Sequence, residues 1–255
     1  MLSAICCLLV LPLAWASFGV PNKQQIVSGT EAGECEFPSM VFLLMDMPDG
    51  GMIACGGALI DTVHVLTAAH CINNVVGVTA HFGHANNMKA PQVIKASSWT
   101  SHEGYQSGAT VFNDVGMIRL EKPVKLGRCV KTIALPRKNQ IFSGTCIAAG
   151  WGKMSNAEDG PDHMRKATLD IISNEECQRH YYGIFQDKHI CIGDRSHLGK
   201  NICSGDSGSP LMCKSGRNYV VAGVASYVFD CDSGFGVYAN VAGLLDWVKE
   251  VQKTL

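Results

Sequence analysis

Residues 205–210 read GDSGSP, a stretch of turn-forming residues with a hydroxyl nucleophile at its centre. Ser207 follows an acidic residue and precedes a glycine. A serine hydroxyl is a poor nucleophile at neutral pH and needs a base within hydrogen-bonding distance. The N–H groups of Gly205 and Ser207 could then point at a developing oxyanion, which is often the largest catalytic contribution. The stretch therefore raises the question of where its base lies.

Two upstream stretches supply the missing groups. LTAAHC, residues 66–71, contains His70, and FNDVGMIRL, residues 112–120, contains Asp114. Imidazole suits proton transfer because its ordinary pKa lies close to neutrality. A buried carboxylate would fix the imidazole tautomer and balance the imidazolium charge. The order His, Asp, Ser along the chain is that of one of the known triad arrangements.

The sequence around these stretches consists of short apolar runs separated by turn residues. MVFLLM (40–45), QVIKAS (92–97) and YVVAGVAS (219–226) have strand lengths, and PDGG (48–51) marks a turn. Many short strands without long intervening helices predict an all-β barrel or sandwich. Two helices are expected. Ser173 and Glu176 form a capping-box pattern, and residues 240–255 carry an apolar face of Leu244, Leu245, Val248 and Val251.

The three stretches, together with IVSGTEA (26–32), AAGWG (148–152) and GVYANV (236–241), resemble the trypsin/chymotrypsin family of serine proteases. The resemblance runs from Ile26 to the C-terminus. It implies two packed six-stranded antiparallel β-barrels with a C-terminal α-helix and the site between the barrels. It also implies a serine endopeptidase with His70 as base, Asp114 as its orienting carboxylate and Ser207 as nucleophile. No cofactor is implied.

The N-terminal residues predict secretion. Residues 1–16 hold a short apolar core that ends in Ala14-Trp15-Ala16, a pattern typical of a cleaved signal peptide. By resemblance, residues 17–25 are an activation propeptide and residues 26–255 the catalytic domain. Cleavage before Ile26 would free an ammonium group that pairs with Asp206. Gln25 stands where the family usually has Arg or Lys, which indicates a Gln-directed enzyme or trimming after a first cut at Lys23.

Ten of the 12 cysteines lie beyond the leader, which allows up to five disulfides in a secreted chain. The resemblance implies Cys55–Cys71, Cys146–Cys213, Cys177–Cys191 and Cys203–Cys231, and Cys35 and Cys129 remain as a further pair. Residues 80–98 contain no Asp or Glu, so no calcium or other metal site is expected. The eight other histidines, His81 and His84 included, show no partner pattern and are expected at the surface.

The resemblance also assigns a substrate pocket. Its members here are Asn201 at the base, Ile202, Ser226, Val228 and Gly236. A neutral Asn201 disfavours Lys or Arg, because their charge would be desolvated without a counter-charge. Val228 stands where trypsin and chymotrypsin have Gly, as in elastases, whereas Gly236 keeps one side open. The pattern predicts an elastase-like preference for small to medium aliphatic residues.

Two alternatives stay open at this point. One is chymotrypsin-like cleavage after Phe, Tyr or Leu, and the other is a non-catalytic binding protein on a protease scaffold. Ser209 departs from the Gly that is usual in the family, and a serine fits there only if its φ is negative.

Protein or peptide substrates and protein inhibitors are the expected partners. A net charge of −1 without a run of like charges gives no indication of nucleic acid or membrane binding, and a monomer is expected.

Overall fold

A computed structural model describes residues 29–156, 160–196 and 199–255. The predicted leader, the activation segment and Ile26 lie outside these residues. Within them, no helix has the length and apolar character needed to cross a membrane. The chain forms two β-barrels, one from each half of the sequence, followed by a C-terminal helix.

The first barrel closes from six antiparallel strands in the order β2-β3-β4-β7-β6-β5. These strands are β2 (Met40–Asp46), β3 (Met52–Leu59), β4 (His64–Thr67), β5 (Gly77–Phe82), β6 (Gln92–Ser101) and β7 (Gly116–Leu120). Along β5 every second residue is buried, which is the alternation that a strand with one face on the core requires. The core of this barrel contains fully buried Leu43, Leu66 and Ile118.

The second barrel is also closed, because its first strand pairs with strands on both sides. Its strands are β8 (Thr145–Gly150), β9 (Arg165–Ile171), β10 (His189–Gly193), β11 (Pro210–Ser215), β12 (Asn218–Tyr227) and β13 (Phe235–Asn240). They pair in the ring β8-β9-β10-β13-β12-β11-β8. The short strand β1 (Thr30–Glu31) adds to the free edge of β9. The predicted architecture of two six-stranded barrels is confirmed.

Three short helical segments complete the fold: α1 (Ala69–Ile72), α2 (Asn174–Cys177) and α3 (Leu245–Thr254). The hydroxyl of Ser173 accepts the N–H of Glu176 at 3.1 Å, so the predicted cap of α2 is present. Helix α3 buries Leu245 and Val248 as its apolar face predicts, and it packs against β7 of the first barrel. The C-terminal helix therefore crosses from the second barrel back to the first.

The two barrels contact each other through packed side chains and through a hydrogen-bonded indole. Trp151, just after β8, packs edge-to-face on Phe42 of β2 with ring centroids 5.4 Å apart. Its indole N–H donates to the carbonyl of Ala85 at 2.7 Å. Five disulfides join the pairs named above, Cys35–Cys129 included. The disulfides hold each half of the chain together, whereas the contacts of Trp151 with Phe42 and Ala85 cross between the barrels and help to fix the cleft between them.

The expectation that all remaining histidines lie at the surface is wrong for two of them. His64 and His189 are buried, with 4% and 3% of their surface exposed. Burial is tolerated because both rings have hydrogen-bonding partners. His64 contacts the Asp61 carboxylate at 2.7 Å, and His189 Nε2 lies 2.7 Å from the carbonyl oxygen of Val111.

Candidate active site

Strand pairing brings His70 and Asp114 together. β4 and β7 pair so that Thr67, the last residue of β4, lies opposite Gly116, the first residue of β7. His70 follows just beyond the end of β4 and Asp114 comes just before β7. The two residues therefore emerge at the same edge of the first barrel. The Cys55–Cys71 disulfide ties the short helix that carries His70 to β3.

The Asp114 carboxylate is buried, with 2% exposed, and accepts three hydrogen bonds. One oxygen accepts the backbone N–H of His70 at 3.0 Å. The other lies 2.7 Å from His70 Nδ1 and accepts the hydroxyl of Ser226 at 2.5 Å. A carboxylate held in this way fixes Nδ1 of the imidazole as the protonated nitrogen, which leaves Nε2 as the basic one.

Ser207 reaches the first barrel because glycines line the contact. The backbone N–H of Gly56, on β3, donates to the carbonyl of Ser207 at 2.7 Å. Gly208 has φ +79°, and a Cβ there would lie 2.2 Å from Thr67 Oγ1 and 2.4 Å from the carbonyl oxygen of Gly56. Only glycine can combine that backbone angle with so close an approach. The loop of the second barrel thus brings Ser207 to the barrel that holds His70 and Asp114.

The backbone around Ser207 leaves two donors unused. Among the hydrogen bonds between described residues, none uses the N–H of Gly205 or of Ser207. Gly205 has φ +98°, a conformation that glycine adopts without strain. Within the same residues, no hydrogen bond joins the Ser207 hydroxyl to His70 Nε2, and that nitrogen lies 3.8 Å from Cys71 Sγ. Such contacts often tighten only when substrate is bound.

Asp206 belongs to the same loop, and its side chain is almost completely buried. Its two carboxylate oxygens accept the N–H groups of Gly152 at 2.8 Å and Cys203 at 3.0 Å. A Cβ on Gly152 would lie 2.4 Å from Asp206 Cγ, so the last glycine of AAGWG makes room for the carboxylate. Burial raises the pKa of Asp206 to about 6, against the opposing effect of the two N–H donors. No ion pair involves Asp206 among the residues that the structure describes.

Asn201, the predicted base of the pocket, is fully buried and turns its amide inward. Its Nδ2 donates to the carbonyls of Phe235 at 2.8 Å and Asp230 at 3.3 Å, and its Oδ1 accepts the N–H of Ile202 at 2.9 Å. The side chain is therefore occupied by the protein's own backbone. It offers neither a charge nor an unpaired acceptor at the base of the pocket.

The other predicted pocket residues surround Asn201. A Cβ on Gly236 would lie 3.0 Å from Asn201 Oδ1 and 3.2 Å from Ile202 Cγ1, so the backbone of Gly236 packs closely against both residues and a larger residue would crowd them. Ile202 is buried in the core of the second barrel. Val228 is half-buried and packs on the disulfide that joins Cys203 and Cys231. The structure thus places Asn201, Ile202 and Gly236 in contact and Val228 beside the neighbouring disulfide.

Three features of the site were not predicted from sequence. Ser226 was assigned to the pocket, whereas its hydroxyl binds Asp114. His189 reaches the carbonyl of Val111, three residues before Asp114, and burial lowers the pKa of its imidazole. Ser209 is buried with a hydroxyl that has no hydrogen-bonding partner among the described residues. Its φ is not positive, so the backbone condition for a serine is met.

The described residues offer one cluster of possible metal ligands, Cys55, His70 and Cys71. Both cysteines form a disulfide with each other, so neither can supply a thiolate. The chemistry of the cluster therefore favours proton transfer at His70 over metal binding.

Comparison with known proteins places this geometry in context. The family model described as Trypsin matches residues 26–248. Granzyme-like protein 1 of Rattus norvegicus is 32% identical, over 96% of this chain and 98% of its own. Trypsin-1 of Gadus morhua is 35% identical, over 90% of this chain and 92% of its own. A solved structure described as "Structure of GrC" superposes with a TM-score of 0.80 at 28% identity, covering 88% of this chain and 98% of the other.

Proposed function

The chain belongs to the trypsin family and is a serine-type endopeptidase, and from this premise we propose that His70, Asp114 and Ser207 form its catalytic triad. The observation that carries the proposal is the buried Asp114 carboxylate held against His70 Nδ1 at 2.7 Å. A buried carboxylate in this position keeps Nε2 free to act as a base. A protein that served only as a binding scaffold would have no use for this arrangement.

In the proposed mechanism Ser207 Oγ attacks the carbonyl carbon of the scissile peptide bond. His70 Nε2 takes the hydroxyl proton as the new C–O bond forms and the carbonyl oxygen becomes an oxyanion. The N–H groups of Gly205 and Ser207 then donate to that oxyanion. His70 next gives its proton to the leaving amine as the C–N bond breaks. Water, deprotonated by the same imidazole, releases the acyl group and restores the Ser207 hydroxyl.

The family implies protein or peptide substrates, and we propose an elastase-like preference for small to medium aliphatic residues before the cleaved bond. Support comes from Asn201, whose polar atoms are all bonded to backbone groups, so a Lys or Arg would enter without a counter-charge. Val228 adds bulk where glycine would leave an open slot. Shape discrimination of this kind is worth about 1–3 kcal/mol per methylene, which gives a preference and not a strict rule.

Activation is proposed to depend on a new N-terminus at Ile26. Asp206 has two N–H donors but no ion pair among the described residues, and burial raises its pKa to about 6 in spite of those donors. An ammonium group delivered into this site would supply the counter-charge. Because Gln25 precedes Ile26, the processing enzyme would be Gln-directed, or trimming would follow a cut at Lys23. N-terminal sequencing of purified active protein tests this, and full activity with a Gln24 start would contradict it.

Secretion, a monomeric state and binding of protein inhibitors belong to the same proposal. Five disulfides and the predicted leader support an oxidising destination outside the cell. Detection of the protein in conditioned medium, lacking residues 1–16, is the expected result.

Two measurements on the protein processed to Ile26 test the function. A fluorophosphonate probe should label the wild type and leave Ser207→Ala unlabelled, and an unlabelled wild type would favour the binding-protein alternative. A mixed peptide library should be cut after Ala, Val or Leu. Cuts after Phe or Tyr would instead support the chymotrypsin-like alternative, in which Gly236 leaves more room.

A further inference from the structure

The segment between the barrels, residues 121–144, follows a three-residue period. Val124, Val130, Ile133 and Pro136 are buried, and each stands a multiple of three residues from the others. Gly127 stands three residues after Val124 and so belongs to the same series, but it is exposed. The chain turns there, and the N–H of Gly127 donates to the carbonyl of Val130. An extended chain with one residue in three on the core must present another residue in three to solvent.

The solvent-facing positions of this three-residue period are occupied by cations. We call these exposed residues the basic row: Lys122, Lys125, Arg128, Lys131 and Arg137. The one interruption is Ala134. The first four cations, from Lys122 to Lys131, span ten residues, which limits their separation to about 30 Å, and the turn at Gly127 brings them closer than that. Because two residues separate neighbouring cations, the row does not show as a run of like charges in the sequence.

Hydrogen bonds and a disulfide hold the backbone of the basic row in place. Gln92 binds Lys125 twice, through its Nε2 to the carbonyl and its Oε1 from the N–H, both at 2.9 Å. The next residue after Arg128 is bonded to Cys35. The N–H of Lys131 donates to the carbonyl of Pro38 at 2.9 Å. A row fixed in this way loses less entropy on binding than a flexible tail would.

Most cations of the row have no ion-pair partner within the described part of the chain. Residues 122–157 contain no Asp or Glu. Among the described residues, Lys125, Arg128 and Lys131 have no ion-pair partner. Lys122 contacts Glu121 at 3.9 Å, but both side chains are exposed, so the pair is weak. Within residues 122–157 the net charge of −1 for the whole chain therefore conceals an excess of positive charge; Glu34 and Glu36 flank Cys35 beside the row, and Glu36 is already paired with Lys166.

We propose that the basic row is a binding site for a linear sulfated polysaccharide. A row of spaced, fixed cations complements a linear polyanion and gains affinity through release of its counterions. Residues 122–140 contain no Phe, Tyr or Trp, and Phe37 and Tyr219 lie beside Lys131 at one end of the row. Single-stranded nucleic acid is usually held by bases that stack on such rings along its length. The composition of the segment therefore favours a polysaccharide over a nucleic acid.

The row lies far from the catalytic cleft. Ala134 pairs with Val220 near the start of β12, and Ser226 is six residues further along that strand. Six residues of strand correspond to about 20 Å. A polysaccharide on the row should therefore leave cleavage of small substrates unchanged, and the site does not depend on the proposed triad or pocket.

The test is binding of a heparin decasaccharide as a function of salt concentration. The triple variant Lys125→Gln, Arg128→Gln, Lys131→Gln is compared with a control that removes three cations from the second barrel, Arg179→Gln, Lys188→Gln, Arg195→Gln. Each phosphate neutralised in nucleic acid contributes about 0.7–0.9 to the slope of log affinity against log salt. By the same reasoning, the triple variant should lose about 2–3 from the slope, while the control keeps the wild-type value. Circular dichroism checks that both variants are folded.

Four outcomes would overturn the proposal. The first is no binding by the wild type at physiological salt, and the second is an equal loss in the triple variant and the control. The third is equal binding of heparin and its desulfated form, because the sulfates are the proposed contacts. The fourth is tighter binding of poly(dT) than of heparin, which would make the row a nucleic acid site.

Discussion

The buried carboxylate of Asp206 makes the stability of the uncleaved chain depend on pH. The perturbation is a pH change from 4 to 7.5, applied to full-length protein that carries Ser207→Ala to prevent self-cleavage. In the folded chain burial disfavours the charged form and raises the pKa of Asp206 to about 6, from 3.8 for an aspartate in water. Below pH 3.8 the carboxyl is protonated in both the folded and the unfolded chain and has no effect on their balance.

Between pH 3.8 and 6 the folded chain retains a proton that the unfolded chain has released. The free energy of unfolding therefore falls as the pH rises through this window. Lowering the pKa from about 6 in the folded chain to 3.8 in the unfolded chain, at 1.36 kcal/mol per pH unit, gives a loss of about 3 kcal/mol, which is nearly complete by about pH 7. This loss is large beside a typical total stability of about 5–15 kcal/mol.

Urea unfolding at half-unit pH steps measures the effect. Asp206→Asn provides the comparison, since its amide does not titrate and other groups contribute equally to both proteins. The difference in unfolding free energy between the two should change by about 3 kcal/mol over the window. Protein processed to Ile26 should lack the loss, because the new ammonium lowers the pKa of its partner.

Two results would refute this reasoning. Parallel pH profiles for the uncleaved chain and its Asp206→Asn variant would mean that the carboxylate is solvated or paired in the uncleaved chain. An unchanged pH profile after processing to Ile26 would mean that the ammonium does not reach Asp206.

Three substitutions test the site in other ways. Ser226→Ala removes a hydrogen bond to the Asp114 carboxylate, about 1.5–3 kcal/mol, so kcat/KM for a peptide substrate should fall about 10-fold to 100-fold. An unchanged value would show that the hydroxyl does not help to hold the triad. Ser209→Ala removes a buried, unbonded hydroxyl and should raise the free energy of unfolding in urea by about 1–3 kcal/mol; a decrease would point to a hidden partner. Val228→Gly should raise the ratio of kcat/KM for Phe over Val substrates about 10-fold or more, and a constant ratio would remove Val228 from the pocket.

The fold was predictable because its signals are local or were carried by family motifs. Short apolar runs separated by turns predict strands, and the Ser173 cap and the apolar face of α3 mark two helices correctly. The choice between a barrel and a sandwich depends on which strands pair across long distances, and periodicity contains no such information. The resemblance supplied it. The burial of His189 was missed because its partner, Val111, is brought close only by the tertiary fold. Asp61 stands three residues before His64, so that pair is local, and the burial of His64 depends on the packing of β4 in the first barrel.

For the candidate site, sequence motifs proposed residues but contained no information on their contacts. Ser226 was predicted as a member of the pocket, and only the packing of the barrels reveals its bond to Asp114. The unbonded hydroxyl of Ser209 lies in a space bounded by Gly56 and Gly150, which belong to distant strands. The basic row was missed because its cations stand at every third position and do not form a run of like charges in the sequence. Only the burial pattern shows that these positions share one side of the segment.

The distribution of the disulfides divides the molecule into two separately cross-linked pieces. Cys35–Cys129 and Cys55–Cys71 lie before residue 138, and the other three disulfides lie after it. A single nick at the exposed Arg137 or Lys138 would leave no covalent link between the pieces. His70 and Asp114 would stay with one fragment and Ser207 with the other. The nicked protein would then behave as a heterodimer, with an activity that falls on dilution and returns when the fragments are concentrated again.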